Sequence, residues 1–219
     1  MNSTTVVDTE KVLNAHMEEY KVLMLDVRQR VDGQEKLVNI SAVLSGVLFT
    51  AYGLAIQNPA ISGILLAFPF AFSMIIWLIL RHDTMIFTTI DYLYNRLRPK
   101  VNTLLQMDHD SSVWLWESYW VKRHLRSGFL KSVFHRFLAL VRYGVPFLLS
   151  VLSLLLFQNI KETKGLAIQA TEYNIIYVGF VTIAFTFFLM AYWVGQSSSQ
   201  IKGEAWNTQD HSNKQTLSK

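Results

Sequence analysis

The chain of 219 residues contains no cysteine, and its four most hydrophobic stretches contain no Asp, Glu, His or Lys. Without cysteine the protein forms no disulfide and offers no thiolate nucleophile or thiolate metal ligand. Without Asp, Glu, His or Lys in those stretches, there is no intramembrane proton relay and no acidic site for a coupling cation. We therefore do not expect ion-coupled transport.

Sequence signatures of catalysis and of metal binding are also missing. The six histidines are scattered, and none is paired with a second ligand at the i, i+4 spacing of a helical metal site. The chain has no Gly-rich phosphate loop and no nucleophile elbow. We predict a non-enzymatic protein with no catalytic residue, no metal and no cofactor. The alternative is an enzyme that acts on lipid through the tripeptide Arg81-His82-Asp83 at the inner surface.

The chain does have four hydrophobic stretches of about 20 residues each, the length that an α-helix needs to cross hydrocarbon. They are residues 37–56, 60–80, 137–157 and 173–194, and they predict an all-α polytopic membrane protein with four transmembrane helices. Only the third contains a charge, Arg142. It lies near one end of its stretch, so it either extends to the headgroups or marks a functional site.

The segments between and around these stretches predict the domain organisation. Residues 1–36 are expected to form a cytoplasmic amphipathic helix, and residues 81–136 a cytoplasmic loop that is largely helical. Residues 195–219 are polar, with too few apolar side chains to fold alone, and are expected to be disordered. The 3.6-residue period that follows the second stretch ends at Pro99, where we expect the helix to end.

Basic residues are distributed unequally between the two sides of the predicted bundle. Nine of the 20 Lys and Arg residues lie in the loop 81–136, and only Lys161 and Lys164 lie between the third and fourth stretches. Loops rich in Lys and Arg stay in the cytoplasm. The pattern predicts a multi-pass protein of the inner membrane with both termini cytoplasmic.

A heptad pattern of apolar residues leads into the first stretch, with steps of alternately four and three residues. We call it the association seam; it comprises Leu13, Met17, Tyr20, Met24, Val27 and Val31. The seam either packs on other helices of the same chain or forms a coiled coil between chains. Gly33 interrupts this region with a residue that has poor helix propensity.

Small and hydroxyl-bearing residues in the hydrophobic stretches are candidates for close helix packing or for lining a pore. In the first stretch they recur at steps of four, four and three residues, on one helix face, and we call this set the small-residue stripe. The stripe comprises Ala42, Gly46, Thr50 and Gly53; the hydroxyl candidates of the third and fourth stretches are Ser150, Ser153, Thr182 and Thr186.

The order of an N-terminal amphipathic helix with Tyr20-Lys21-Val22-Leu23 and Arg28-Gln29-Arg30, a tight hairpin of two spans and then cytoplasmic helices resembles that of uncharacterised small four-span membrane proteins of bacteria and archaea. It is similar, more loosely, to the SLATT-type membrane modules over residues 10–107. That resemblance implies a membrane effector of bacterial conflict systems that perforates the membrane. Those modules have two spans rather than four.

The sequence thus supports two hypotheses of function. The first is a non-enzymatic membrane protein that acts through helix association or as a membrane scaffold; the second is an oligomeric pore or channel gated from the cytoplasm. The expected partners are the lipid bilayer, a second copy of the chain, and a cytoplasmic protein that binds residues 81–136. No nucleic acid is expected, because the basic residues flank the spans, where the positive-inside rule already accounts for them.

Overall fold

The computed structural model describes residues 3–106 and 140–216, and all of its regular structure there is helical. Four of the helical segments are long and apolar enough to cross a membrane, in agreement with the four predicted spans. The predictions for residues 107–139, which include most of the central loop and the start of the third stretch, lie outside the described residues. The elements in order are α1 (Ser3–Gln57), a 3-10 helix (Pro59–Ala67), α2 (Phe68–Tyr92), a π-helical turn (Leu93–Leu97), α3 (Arg98–Leu104), a second π-helical turn (Leu140–Gly144), α4 (Val145–Thr163) and α5 (Ala170–Thr216).

The first helix is a single uninterrupted segment of 55 residues. At a rise of about 1.5 Å per residue it is about 80 Å long, roughly twice the full thickness of a bilayer. Gly33 does not break it, because hydrogen bonds from the turns on both sides continue the helix through this position. The seam and the small-residue stripe therefore lie on one helix.

Two of the four prolines shape the start of the second span. Pro59 begins the 3-10 helix, and the side chain of Asn58 accepts a hydrogen bond of 3.3 Å from the amide of Ala60. Pro69 is the second residue of α2, where its missing amide leaves no intrahelical hydrogen bond unmade. The first third of the predicted span 60–80 is thus 3-10 helix, and Pro69 lies in the first turn of α2.

The other two prolines each follow a π-helical turn. The helical path after the second span continues through Pro99 to Leu104, so the prediction that it ends at Pro99 is wrong. The amide of Arg98 donates to the carbonyl of Leu93, which places Pro99 in the first turn of α3, where proline is tolerated. In the same way, the turn Leu140–Gly144 is followed by Pro146 as the second residue of α4.

The last described element is a long helix. Helix α5 continues beyond the fourth stretch as far as Thr216. No proline occurs after Pro146, and lengthening an existing helix avoids the cost of nucleating a new one.

The described residues form two compact units. Of the described residues, the first unit contains 3–46, 81–106 and 140–146, and the second contains 47–80 and 147–216. Leu93, Leu97 and Val101 are fully buried in the first unit. The core of the second unit includes Phe72 and Phe157, neither of which is exposed.

Candidate functional sites

The association seam lies on a partly covered face of α1. Most of its residues are half-buried, whereas Val31 is exposed. Two hydrogen bonds join this part of α1 to α2: the hydroxyl of Tyr92 donates to Glu19 at 2.7 Å, and the amide of Gln34 donates to Asp83 at 2.5 Å. The seam region of α1 therefore packs against another helix of the same chain.

A polar cluster forms where α1, α2 and the second π-helical turn meet in the first unit. We call it the Asp83 cluster and define it as Gln34, His82, Asp83 and Arg142. Gln34 is only 2% exposed, and its Nε2 and the Nη1 of Arg142 both approach Oδ1 of Asp83, the latter at 3.5 Å. The side chain of Asp83 is 13% exposed and that of Arg142 is 38% exposed. The one charge in the four stretches is thus paired across helices.

Gly33 lies at the point where His82 closely approaches α1. A Cβ atom at position 33 would lie 3.2 Å from Cε1 and 3.3 Å from Nε2 of the imidazole, closer than side-chain atoms ordinarily pack. The Nδ1 atom of His82 is buried and has no hydrogen-bond partner among the described residues. The glycine that weakened the sequence prediction of a continuous helix is therefore the residue that admits His82.

Burial raises the pKa of Asp83 above its usual value of 3.8. The hydrogen bond from Gln34 and the charges of Arg142 and His82 act in the opposite direction but do not offset it. Asp83 lies three residues beyond the stretch 60–80, outside the predicted hydrocarbon. This carboxylate is therefore more easily protonated than an ordinary aspartate.

A second ion pair, in the other unit, closes the connection between α4 and α5. The Nζ of Lys161 lies 2.8 Å from Oε1 of Glu172, and the two side chains are 9% and 16% exposed. The ammonium also lies over the ring of Phe157, 5.4 Å from its centroid. Gly165 supplies the positive φ of 61° that ends α4 and turns the chain, a conformation that glycine adopts without strain.

The hydroxyl candidates of the third and fourth stretches are mostly buried, and they form hydrogen bonds within the second unit. The hydroxyl of Ser153 donates to the carbonyl of Ser150, and that of Thr186 donates to the carbonyl of Thr182. Thr186 also accepts a hydrogen bond of 2.9 Å from the indole of Trp77. Thr182 is half-buried and donates to Val178. These contacts give the hydroxyls structural partners inside the protein.

The small-residue stripe has the opposite placement. Ala42, Gly46, Thr50 and Gly53 are all exposed, and a Cβ atom at Gly46 or Gly53 would meet no atom within 4 Å. At about 100° per residue, this stripe lies on the side of α1 opposite its buried positions. Those buried positions are Ser41, Leu48, Ala51 and Ala55. The eight candidates therefore do not converge on one site.

Sequence reasoning did not find the Asp83 cluster. Gln34 occupies a position of the seam pattern, and a polar residue at an apolar position was the available signal. Asp83 and Arg142 are 59 residues apart, so nothing local to either predicts that they pair. Among residues 3–106 and 140–216, no group of His, Asp and Glu side chains is arranged to hold a metal ion.

Comparison with known proteins identifies no relative: no family model matches the chain, and no curated protein or solved structure matches it. The interpretation of both sites therefore depends on their own geometry and chemistry.

Proposed function

We propose that the protein is a non-enzymatic, multi-pass protein of the inner membrane that acts by helix association, through the small-residue stripe of α1. The observation that carries the proposal is the clearance around Gly46 and Gly53, where an added Cβ would meet open space. In a bilayer, small residues on a helix surface let a second helix approach closely enough for backbone packing. Among the described residues, α1 packs through its opposite face, so we assign the close packing of the stripe to another copy of the chain.

The test uses the absence of cysteine in the natural chain. Single variants Ala42→Cys and Thr50→Cys place a thiol on the stripe, and Val47→Cys places one on the exposed flank of the same helix. Disulfide formation requires Cα atoms within about 7 Å of each other. We expect oxidation in native membranes to produce covalent dimers from the stripe variants and few from the flank variant.

A second substitution tests the packing itself. Gly46→Leu in the Thr50→Cys background fills the space on the stripe, so the dimer yield should fall to that of the flank variant. Val47→Leu in the same background is the matched control and should leave the yield unchanged. Equal crosslinking at all positions, or none at any, would contradict association through the stripe.

The rival proposal is an oligomeric pore, which the looser resemblance to SLATT-type modules also suggests. The buried, hydrogen-bonded hydroxyls of Ser153 and Thr186 do not favour it, because a water-filled path needs polar groups that face it. A pore would depolarise cells that overproduce the protein, and Gly46→Leu would abolish that leak if the stripe lined it. Dimers without a leak favour the scaffold.

The proposed orientation, with both termini cytoplasmic, rests on the unequal distribution of Lys and Arg. A single cysteine at Thr163, the last residue of α4, should react with an impermeant thiol reagent added to intact cells. A single cysteine at Ser111, in the long central loop, should react only after the cells are opened. The reverse pattern would overturn the orientation and with it the cytoplasmic side of the proposed scaffold.

A further inference from the structure

The side chain of Asp83 is enclosed by three helical segments of one unit. It projects from α2, receives the amide of Gln34 from α1, and faces Arg142 of the second π-helical turn. Of the described residues, His82 and Arg142 are those whose charges act on it, and α1 contributes the neutral Gln34. Its environment is therefore nearly closed to water but only partly compensated in charge.

The two partners of Asp83 respond differently to a proton. Gln34 keeps a hydrogen bond in either state, because an amide N–H donates to a carboxylate and, more weakly, to the carbonyl oxygen of a carboxylic acid. Arg142 lies at 3.5 Å and is held mainly by charge, so its attraction is lost when Asp83 is neutral. Protonation thus removes one contact of the cluster and leaves the other.

Arg142 is also on the least regular of the three segments. It lies in the π-helical turn Leu140–Gly144, which is followed by Pro146, and both features weaken the regular hydrogen bonding of a helix. Its side chain is the most exposed of the ion pair, so a path to water or to headgroups is open to it. Movement of Arg142 does not require the core of the unit to open.

We propose that Asp83 is a proton-operated latch for Arg142. Ionised Asp83 holds the guanidinium against α2; when the carboxylate takes up a proton from solvent, the guanidinium is released while Gln34 remains bound. The cluster thereby converts a change of pH into a change in the position of the only charge in the four hydrophobic stretches. This inference does not depend on association through the small-residue stripe.

The first experiment is an infrared pH titration of the full chain in phosphatidylcholine vesicles, whose surface carries no net charge. We expect the carbonyl band of a protonated carboxylic acid to appear with a midpoint above the ordinary 3.8. The difference between the wild-type and Asp83→Asn spectra isolates the Asp83 part of this band from the other carboxylic acids. Glu162→Gln, which removes an exposed carboxylate, should leave the Asp83 part unchanged. A wild-type spectrum without an Asp83 band above pH 3.8 would overturn the proposal.

The second experiment measures coupling between the two groups. If Arg142 favours ionised Asp83, then by reciprocity the proton weakens the hold on Arg142 by the same factor. Arg142→Gln should therefore raise the proton affinity of Asp83 by about two- to fivefold, as expected for a partly exposed pair. Arg142→Lys, which keeps the charge, should leave the midpoint close to that of the wild type. An unchanged midpoint in Arg142→Gln contradicts the latch.

The third experiment follows the guanidinium itself and needs no mutation in the measured protein. In vesicles of arginine-labelled protein, the side-chain nitrogen resonance of Arg142 is assigned by its loss in Arg142→Gln. It should shift with the same midpoint as the Asp83 band. A resonance that stays constant through that transition would show that protonation does not release Arg142.

Discussion

Among the described residues, two ion pairs between helices affect their carboxylates in opposite ways. Burial disfavours the ionised form of Glu172, but the hydrogen bond from Lys161, the backbone amide of Gln169 and the charge of Lys161 together lower its pKa below 4.5. Burial also disfavours ionised Asp83, and there the weaker compensation leaves the pKa raised. Each carboxylate has two hydrogen-bond donors, one of them cationic, so the difference comes from the cost of burial and from the distance of the cationic donor.

The comparison shows what a carboxylate outside the hydrocarbon needs in order to stay charged. Glu172 has an ammonium at 2.8 Å and a backbone amide at 2.8 Å, each on a different oxygen. At Asp83 a neutral amide and a guanidinium at 3.5 Å share Oδ1. Charge-assisted hydrogen bonds are short and strong, and a longer pair loses most of that strength. The Lys161–Glu172 ion pair is therefore strong, and the Arg142–Asp83 ion pair is weak.

The largest expected effect comes from breaking the Lys161–Glu172 ion pair. Glu172→Gln leaves the ammonium of Lys161 in its enclosed position without a counter-ion, and we expect it to lower the free energy of unfolding by about 3 kcal/mol. Glu162→Gln is the control, because that carboxylate is exposed and bonds only to Gln158 among its described partners. Thermal unfolding in detergent measures the stability of both variants. Equal stability would show that the Lys161–Glu172 ion pair contributes nothing.

The next effect tests whether stability near Asp83 depends on packing between Gly33 and His82 rather than on charge. Gly33→Leu drives a side chain into the imidazole of His82, and overpacking of this kind lowers stability by about 1–3 kcal/mol. Gly63→Leu is the matched control, since a Cβ there meets nothing within 4 Å. The same unfolding assay applies. A Gly33 variant as stable as the control would mean that α1 and α2 separate at this point without loss.

A smaller effect measures how much the neutral hydrogen bond between Trp77 and Thr186 contributes to stability, in comparison with the two ion pairs. Thr186→Val removes the acceptor of the Trp77 indole, and we expect a loss of about 0.6 kcal/mol, the average for interhelical hydrogen bonds in membranes. Thr182→Val removes a hydroxyl that bonds to its own helix and should have no measurable effect. A loss in Thr182→Val equal to that in Thr186→Val would assign the effect to the hydroxyl's back-bond instead.

The smallest effect is the pH dependence that separates the two carboxylates. Glu172 has a lowered pKa, so its contribution to stability is present above 4.5 and lost as the pH falls through its folded-state value. Asp83 has a raised pKa, so its contribution is present below 3.8 and lost as the pH rises through its folded-state value. We expect Asp83→Asn to flatten the stability profile above pH 3.8 and Glu172→Gln to flatten it below 4.5, as measured by unfolding across that range. Identical profiles for both variants would refute the opposite signs.

The sequence predicts the helical class and the four long apolar helices well, because a run of about 20 apolar residues has few other solutions. It predicts poorly the details that depend on proline. A π-helical turn lets the chain continue through Pro99, and only the observed hydrogen bond from Arg98 to Leu93 shows this. The seam pattern marked the face of α1 that meets α2, but the same pattern is equally typical of a coiled coil between chains.

The candidate site was less predictable than the fold, for a physical reason. Small residues and hydroxyls are recognisable in the sequence, but the structure separates them into an exposed stripe and a buried hydrogen-bonded set. The Asp83 cluster joins residues from three segments, and its effect on the carboxylate comes from enclosure. Enclosure depends on tertiary packing, so no local pattern around Gln34, Asp83 or Arg142 reports it.

The unbroken length of α1 has a mechanical consequence. Its 55 residues include the seam, the contact with His82, the donor to Asp83 and the exposed glycines of the stripe. A continuous helix is stiff in torsion, so a partner that turns the N-terminal end about the helix axis also turns Gln34 and Gly46. The rotation of α1 about its axis therefore sets the direction in which Gly46 of the stripe faces.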